Sequence, residues 1–399
     1  MPLIARRSVF TGAWLLFLAG CRPAIPEQPG VVIRDSGGIQ IVENSSPLWT
    51  AGQGWQVAES LVIGAVDGDE DYLLNGVRGA IRMPDGRIVV ANGGGSELRV
   101  YDAAGTFLRR VGRKGWGPGE FQRPDHVIRL AGDTIAVWDA GIGPVSFFDD
   151  ELRYIRRERI DRRQLLELLG SERATEAVTP LPDGSFVLHV TSREEARSLA
   201  EGQLFRPPLG YFRFARDLSR VDSLGWYGGL QQMYLNIGGR RVYETVDVSP
   251  HARIAAGGNP LLIYAGNGEP YEVHAFAATG RLVRIIRSSL APLPIPADVS
   301  ERRRRSAEQG FRPQERLRVR DALPRQTHFP AYREVHADAD ANLWVSRFGS
   351  AMDIFDRSGR WLGTVTIAGR PVEIGRDYIL TLRHDTLGVE RVVLYDLRR

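Results

Sequence analysis

The feature that most constrains the fold of this chain is a pattern of short segments that repeats from Gly76 to the C-terminus. Each repeat has two apolar, β-branched segments joined by a tight turn, followed by two more segments joined in the same way. In the first repeat Leu98 and Val100 alternate with Arg99 and Tyr101, the period of two that is typical of a half-buried strand. The pattern therefore predicts successive four-stranded antiparallel sheets.

Strands that come in fours are typical of propeller blades. Five repeats are complete and a sixth, which begins at Val372, has only three strands before the sequence ends. The strand-like stretch Trp55–Ile63 lies unassigned before the first repeat, and adding it to the last blade would close the ring and cover both edges. We therefore predict an all-β fold, a six-bladed β-propeller over residues 51–399 in which an N-terminal strand completes the last blade.

The N-terminus has a different character. An apolar run from Val9 to Ala19 follows Arg6 and Arg7, and it is too short to be a permanent transmembrane helix. Its basic flank and the small residues at its end fit a cleavable export segment. Directly after the run comes Cys21, the only cysteine in the chain.

The motif Leu18-Ala19-Gly20-Cys21 resembles the signal of bacterial lipoproteins. The resemblance implies that residues 1–20 are a signal peptide and that Cys21 becomes a lipidated first residue, anchored to a membrane. An ordinary signal peptide with an incidental cysteine is the alternative. Residues 21–50, with Pro23, Pro26 and Pro29, are then expected to form a tether and an N-terminal extension.

The composition limits the kinds of functional site that the chain can contain after the signal peptide is removed. With Cys21 acylated, no thiol remains for a disulfide, a catalytic nucleophile or a zinc site. Loss of Arg6 and Arg7 with the signal lowers the formal net charge from +4 to +2. Export and a net charge near zero both argue against a nucleic-acid partner.

The first junction between repeats carries a recognisable motif. Residues Gly112–Pro124, GRKGWGPGEFQRP, resemble the inter-blade signature G-x-x-G-x-GPGEF-x-x-P of NHL-repeat propellers. The whole body is similar to bacterial six-bladed β-propeller lipoproteins, and this resemblance implies the same fold. No helix follows the glycines to bind a phosphate, so we interpret the motif as a structural corner.

The long insertions of the chain all fall on one face of the predicted propeller. They are Asp161–Thr175, Thr191–Leu209, Trp226–Tyr243 and Ser288–Phe329, whereas the opposite face has only short turns. Binding residues tend to lie on loops that a rigid scaffold holds, so this inserted face is the candidate binding surface. The candidate ligand-binding residues at its channel mouth and in its insertions are Arg78, Asn92, His126, Asp139, Glu176, His251, Arg333, Arg347, Trp226 and Tyr234.

Catalytic motifs are scarce: the sequence contains no HExxH, no G-x-S-x-G and no spaced Cys/His cluster. A resemblance to propellers of the gluconolactonase and regucalcin type would imply a metal-dependent lactonase or esterase, with Glu176, Asn92 and Asp139 as ligands of a divalent ion. We take this as the alternative. The main prediction is a non-catalytic binding or scaffold module without cofactor or metal.

The predicted partner is a protein, peptide or glycan of the cell envelope. Arg22, after the lipidated cysteine, replaces the aspartate that typically retains lipoproteins in the inner membrane. In a cell with two membranes, this favours the outer one.

Overall fold

The computed structural model describes residues 29–50, 52–141, 143–170, 173–192, 199–219, 221–246 and 248–399. The predicted signal peptide and Cys21 lie outside this part of the chain. Over the described residues, no helix has the length and apolar character needed to cross a membrane.

Three strands precede the first blade: β1 (Val31–Ser36), β2 (Ile39–Asn44) and β3 (Gln56–Ile63). Blade one contains β4 (Val77–Arg82), β5 (Ile88–Asn92), β6 (Glu97–Tyr101) and β7 (Phe107–Val111). Blade two contains β8 (Pro124–Arg129), β9 (Ile135–Asp139), β10 (Val145–Phe148) and β11 (Tyr154–Glu158).

Blade three contains β12 (Arg173–Pro180), β13 (Phe186–Ser192), β15 (Pro208–Phe214) and β16 (Val221–Gly228). Its central loop includes the short strand β14 (Leu204–Phe205). After blade three, β17 (Gln232–Ile237) and β18 (Arg240–Thr245) form a hairpin that pairs with β14. Blade four contains β19 (Arg253–Gly257), β20 (Leu262–Gly266), β21 (Glu272–Ala277) and β22 (Leu282–Ser288).

Blade five contains β23 (Glu334–Ala337), β24 (Leu343–Ser346), β25 (Ala351–Phe355) and β26 (Trp361–Thr366). Blade six contains β27 (Arg370–Ile374), β28 (Tyr378–His384) and β29 (Glu390–Arg398). Its fourth strand is β3, which pairs antiparallel with β29. The predicted closure of the last blade by an N-terminal strand is therefore confirmed.

Apolar clusters between neighbouring blades hold the ring together. One cluster lies at each of the six junctions, including the closing junction where Leu380 and Leu394 of blade six meet Val90 of blade one. Each buried side chain of this size stabilises the folded state by about 1.5–3 kcal/mol. The predicted all-β six-bladed propeller is confirmed.

Residues 31–50 and 52–63 form a belt along the outside of blades four, five and six. Strands β1 and β2 form a hairpin, and β2 pairs in parallel with β22, the outer strand of blade four. The Trp49 amide then donates to Leu362 O of blade five at 2.7 Å, before β3 joins blade six. Within the predicted tether and N-terminal extension, the chain from residue 31 onwards is therefore packed on the propeller and is not a free linker.

The insertions between blades add three helices. Helix α1 (Arg162–Leu169) begins at Asp161, whose side chain accepts hydrogen bonds from the Arg163 and Gln164 amides. Helices α2 (Ala297–Glu308) and α3 (Pro313–Ala322) lie between blades four and five. Val319 and Leu323 pack against Met233 and Leu235 of the β17–β18 hairpin. We call β14, β17, β18, α2 and α3 the accessory unit.

The NHL-like junction folds as the predicted corner. Gly112 and Gly119 have φ of +82° and +70°, a region that favours glycine. Glu120 accepts hydrogen bonds from the Gly117 amide and from the Arg113 guanidinium, both at 2.8 Å, which closes the loop on itself. Phe121 is fully buried in the junction between blades one and two. The polar groups of this motif are therefore used within the fold.

Candidate functional site

A cavity of about 560 Å³ opens at the channel mouth between blades five, six and one. Its walls are the beginnings of first strands, the ends of second strands and the short loops that follow them. Six charged side chains are part of the lining, Arg78, Arg333, Glu334, Arg370, Arg383 and Glu390, together with His384. We call this cavity the mouth cavity.

Backbone oxygens hold two of the neighbouring guanidinium groups in place. Arg370 Nη2 donates to the carbonyl oxygen of Arg78 at 3.4 Å, and Arg253 Nε donates to that of Arg333 at 2.6 Å. Among the described residues, no carboxylate lies within ion-pair distance of Arg78, Arg253 or Arg370. The guanidinium groups of Arg253 and Arg370 are thus positioned by neutral partners.

Glu334 is the acidic group that lies among these arginines. Its carboxylate is 3.8 Å from Arg333 Nη2 and 3.5 Å from His336 Nε2. Burial alone would raise the pKa of Glu334, but His336 and the charges of Arg333 and Arg253 outweigh it and hold the pKa at about 2. Glu334 is therefore ionised at any physiological pH.

Burial also acts on the cations around the mouth. It lowers the pKa of Arg370, and the positive charges of Arg78 and Arg333 lower it further, against the attraction of Glu334. Burial lowers the pKa of Arg253 in the same way. Because a guanidinium stays protonated throughout the physiological range, the result is positive charge held in a poorly solvated place.

The predicted histidines are near this charge and are neutral. Burial lowers the pKa of His126, and the charges of Arg370 and Arg78 lower it further against that of Asp125. Burial and then the charge of Arg253 lower the pKa of His251 to about 4. Both imidazoles can accept or donate a hydrogen bond near pH 7 without adding charge.

Two predicted ligand-binding residues have a different role in the structure. Asp139 is fully buried and accepts hydrogen bonds from the Gln122 amide at 2.8 Å and from the Arg123 amide at 2.6 Å. Asn92 is also buried, and it accepts from the Asn75 amide at 2.9 Å. Each side chain thus fastens the loop that enters the first strand of its own blade, and neither is free to bind a ligand.

Two more predictions of ligand binding need correction because the side chains are occupied or buried. Arg347 Nε lies 3.1 Å from a carboxylate oxygen of the fully buried Asp353, so its charge is neutralised inside blade five. Tyr234 is 8% exposed and packs on Tyr243 in the accessory unit, with a ring separation of 5.6 Å. An aromatic residue in an insertion looked accessible because the sequence did not indicate that the insertion folds.

The structure leaves the other predicted residues accessible. Trp226 is 42% exposed, although it lies in strand β16 and not in a loop. Glu176 is exposed at a bulge in β12, and Arg78 and Arg333 are exposed at the mouth cavity. His126 and His251 are partly buried.

Arg370 of the mouth cavity and Arg253, which donates to the carbonyl oxygen of Arg333, are two arginines that the sequence prediction missed. The sequence predicts that the first strand of blade four starts near His251 and that of blade six at Val372, whereas these strands begin at Arg253 and Arg370. A shift of two residues keeps the side-chain alternation, so the pattern of apolar residues could not reveal it. An arginine directly before each apolar segment was the available signal.

The described residues contain no group of three or more His, Cys, Asp or Glu side chains arranged to hold a metal ion. Two members of the triad that the lactonase resemblance implied, Asn92 and Asp139, instead bind backbone amides of the fold.

Comparisons with known proteins concern the fold. Residues 68–166 match a family model described as a 6-bladed beta-propeller. No protein of curated function matches the chain in sequence.

Solved structures with similar folds come from several bacteria. A member of the duf4221 family from Bacteroides vulgatus has 10% identity and a TM-score of 0.49, over 86% of this chain and 98% of that one. A Bacteroides fragilis protein named as exported has 14% identity and a TM-score of 0.46, over 90% and 99%. A gluconolactonase from Xanthomonas campestris has 12% identity and a TM-score of 0.40, over 81% and 86%.

At these identities the similarity concerns the fold alone. The chain is a six-bladed β-propeller that resembles bacterial propeller proteins.

Proposed function

We propose that this protein is a non-catalytic binding module of the bacterial cell envelope, anchored by a lipid on Cys21, that holds a partner at the inserted face of its propeller. The partner is a protein, a peptide or a glycan. The mouth cavity is the part of that face that contacts it.

One observation carries the proposal. The mouth cavity is about 560 Å³ in volume and open, and Arg78, Arg333 and Arg370 line it together with two carboxylates, Glu334 and Glu390. Concave sites with a few convergent polar groups on a rigid scaffold are typical ligand sites. The short loops of blades five, six and one keep this part of the face accessible.

The lactonase alternative has less support from the side chains. It needs Glu176, Asn92 and Asp139 to turn their oxygens towards one ion, yet Asn92 and Asp139 accept hydrogen bonds from backbone amides. Freeing either group would leave a buried amide without a partner, which costs about 1–3 kcal/mol.

The anchor and the outer-membrane location rest on the sequence. Leu18-Ala19-Gly20-Cys21 resembles a lipoprotein signal, and Arg22 lacks the retention feature of inner-membrane lipoproteins. A short tether between Cys21 and the belt would hold the propeller next to the membrane.

Site-specific photo-crosslinking in cells tests this function. A photoreactive residue at Ser350, on the wall of the mouth cavity, is expected to give discrete adducts with an envelope component. The matched control is Ala103 in the exposed turn between β6 and β7, on the opposite face. Identical adducts from both positions would contradict the proposal. Metal-dependent ester or lactone hydrolysis that Glu176→Gln abolishes would favour the hydrolase instead.

A further inference from the structure

The mouth cavity has more positive charge than its own residues neutralise. Arg78, Arg333 and Arg370 line it, and the guanidinium group of Arg370 donates to the carbonyl oxygen of Arg78. Arg253 is not part of the lining, but it donates in the same way to the carbonyl oxygen of Arg333. Glu334 is 3.8 Å from Arg333 and counters one charge. Arg383, on the same wall, pairs with Glu59 at 2.8 Å and contributes no excess.

The second carboxylate of the cavity is occupied. Glu390 accepts a hydrogen bond from the Val77 amide at 2.7 Å and lies 3.4 Å from His384 Nε2. The Glu390 carboxylate is therefore engaged by the backbone of β4 and by His384, and not by the arginines of the cavity. The guanidinium groups of Arg78 and Arg370 have no carboxylate partner among the described residues.

Crowding of like charges is costly to the fold, which suggests that it serves binding. Arginines on an open surface avoid each other by rotating into water. Here the Arg370 and Arg253 side chains are partly buried and fixed by carbonyl oxygens. The neighbouring imidazoles of His126 and His251 are neutral and relieve none of the positive charge. An anionic ligand would supply the negative charge that these arginines lack.

We infer that the mouth cavity binds an oxyanion, a carboxylate or phosphate group of the ligand, between Arg78 and Arg370 with Arg333 at the rim. The inference rests on the proposed binding function and names its ligand class. The planar guanidinium fork binds both groups through paired hydrogen bonds. The cavity is larger than either group, so it also accommodates a neutral remainder such as a sugar ring or a short peptide.

The test is ligand-induced stabilisation of the full chain, measured as the change in melting temperature at low ionic strength. The probes are inorganic phosphate and citrate, with glucose at the same concentration as the uncharged control. A ligand that binds only the folded state raises the melting temperature with its concentration. We expect at least one anion to do so and glucose to have no effect, and the larger shift identifies phosphate or carboxylate as the preferred group.

Variants locate the site. Arg78→Gln and Arg370→Gln are each expected to weaken anion binding at least tenfold, while Arg370→Lys, which keeps the charge without the planar fork, weakens it less. The control is Arg281→Gln, an exposed arginine in the turn between β21 and β22 that loses the same charge. The melting temperature without ligand shows that each variant folds.

Two outcomes would overturn the inference. One is the absence of any shift with either anion in the unmodified protein, and the other is an equal shift in Arg78→Gln and in the unmodified protein. The photo-crosslinking from Ser350 is independent of these results. If no anion binds but the Ser350 adducts still form, the oxyanion inference is refuted and the proposed binding function is retained.

Discussion

At the level of single residues, polar side chains at equivalent places in different blades have different roles. Asn92 and Asp139 both end a second strand and both fasten the loop that enters the first strand. The sequence identified their position and polarity correctly. It could not distinguish a side chain that faces the channel from one that faces the backbone, because both are polar residues directly after a buried strand.

Glu373 is a buried acid of the first strand of blade six, and the propeller holds it in an unusual protonation state. Its carboxylate accepts a hydrogen bond from the Arg82 amide at 2.6 Å. Burial raises the pKa of Glu373 to about 7, against the lowering effect of that amide, of Tyr378 and of the charges of Arg129 and Arg82. The folded protein therefore binds a proton here more tightly than the unfolded chain does.

We predict that this group makes the protein less stable as the pH rises from 4.5 to 7. Over that window the folded state holds more protons than the unfolded state, so the free energy of unfolding falls, by at most about 3 kcal/mol. Glu373→Gln keeps an acceptor for the Arg82 amide and removes the titration. The variant should show a flatter pH dependence and a higher melting temperature at pH 8.

The comparison must be made as a difference between the variant and the unmodified protein. His189 and His251 both have a pKa lowered to about 4, by burial first, so they cost stability as the pH falls below 6.5 and oppose the effect of Glu373. The exposed Glu70→Gln is the matched control. Equal pH slopes for Glu373→Gln and the unmodified protein would refute the assignment.

At the level of strands and helices, local pattern predicted the blades well. Alternation and tight turns located the strands of the blades, and the unpaired third strand of blade six indicated where Trp55–Ile63 belongs. The β1–β2 hairpin was missed because the prolines before it are typical of a linker and its partner β22 lies far along the chain. The sequence predicts the segments of the accessory unit as insertions between and within blades. It does not predict that they fold together, because the packing of Val319 on Met233 is a contact between distant parts of the chain.

We predict that strand β3 stabilises the ring more than the β1–β2 hairpin does. Removing β3 uncovers the edge of β29 and the apolar junction beside Ile63, which is 1% exposed. Compared with a chain that begins at residue 29, one that begins at residue 64 should melt lower by on the order of 10 °C or aggregate.

A chain that begins at residue 46 is the control for this truncation. It loses the hairpin, but blade four keeps its own four strands, β19 to β22. Its melting temperature should fall by less than half as much. Equal losses for the two truncations would contradict a special role for β3, and melting followed by circular dichroism decides between the results.

At the level of the whole molecule, the belt sets how far the propeller can move from a lipid anchor. The belt begins at Val31 of β1, which pairs with β2, and β2 in turn pairs with β22 of blade four. The ten residue steps from Cys21 to Val31 can span about 35 Å at most when fully extended. If Cys21 carries the lipid, the propeller stays within that distance of the bilayer, and its partner must be reachable there.

We predict that Cys21→Ser releases the protein from the membrane fraction or leaves its precursor unprocessed. In the proposed function the lipid on Cys21 is the anchor, so its loss should detach the protein. The control is Arg22→Asp, which keeps the lipidated cysteine and should move the protein from the outer to the inner membrane fraction. Cell fractionation with immunoblotting measures both effects. Normal processing and unchanged membrane association of Cys21→Ser would contradict anchoring by a lipid on Cys21.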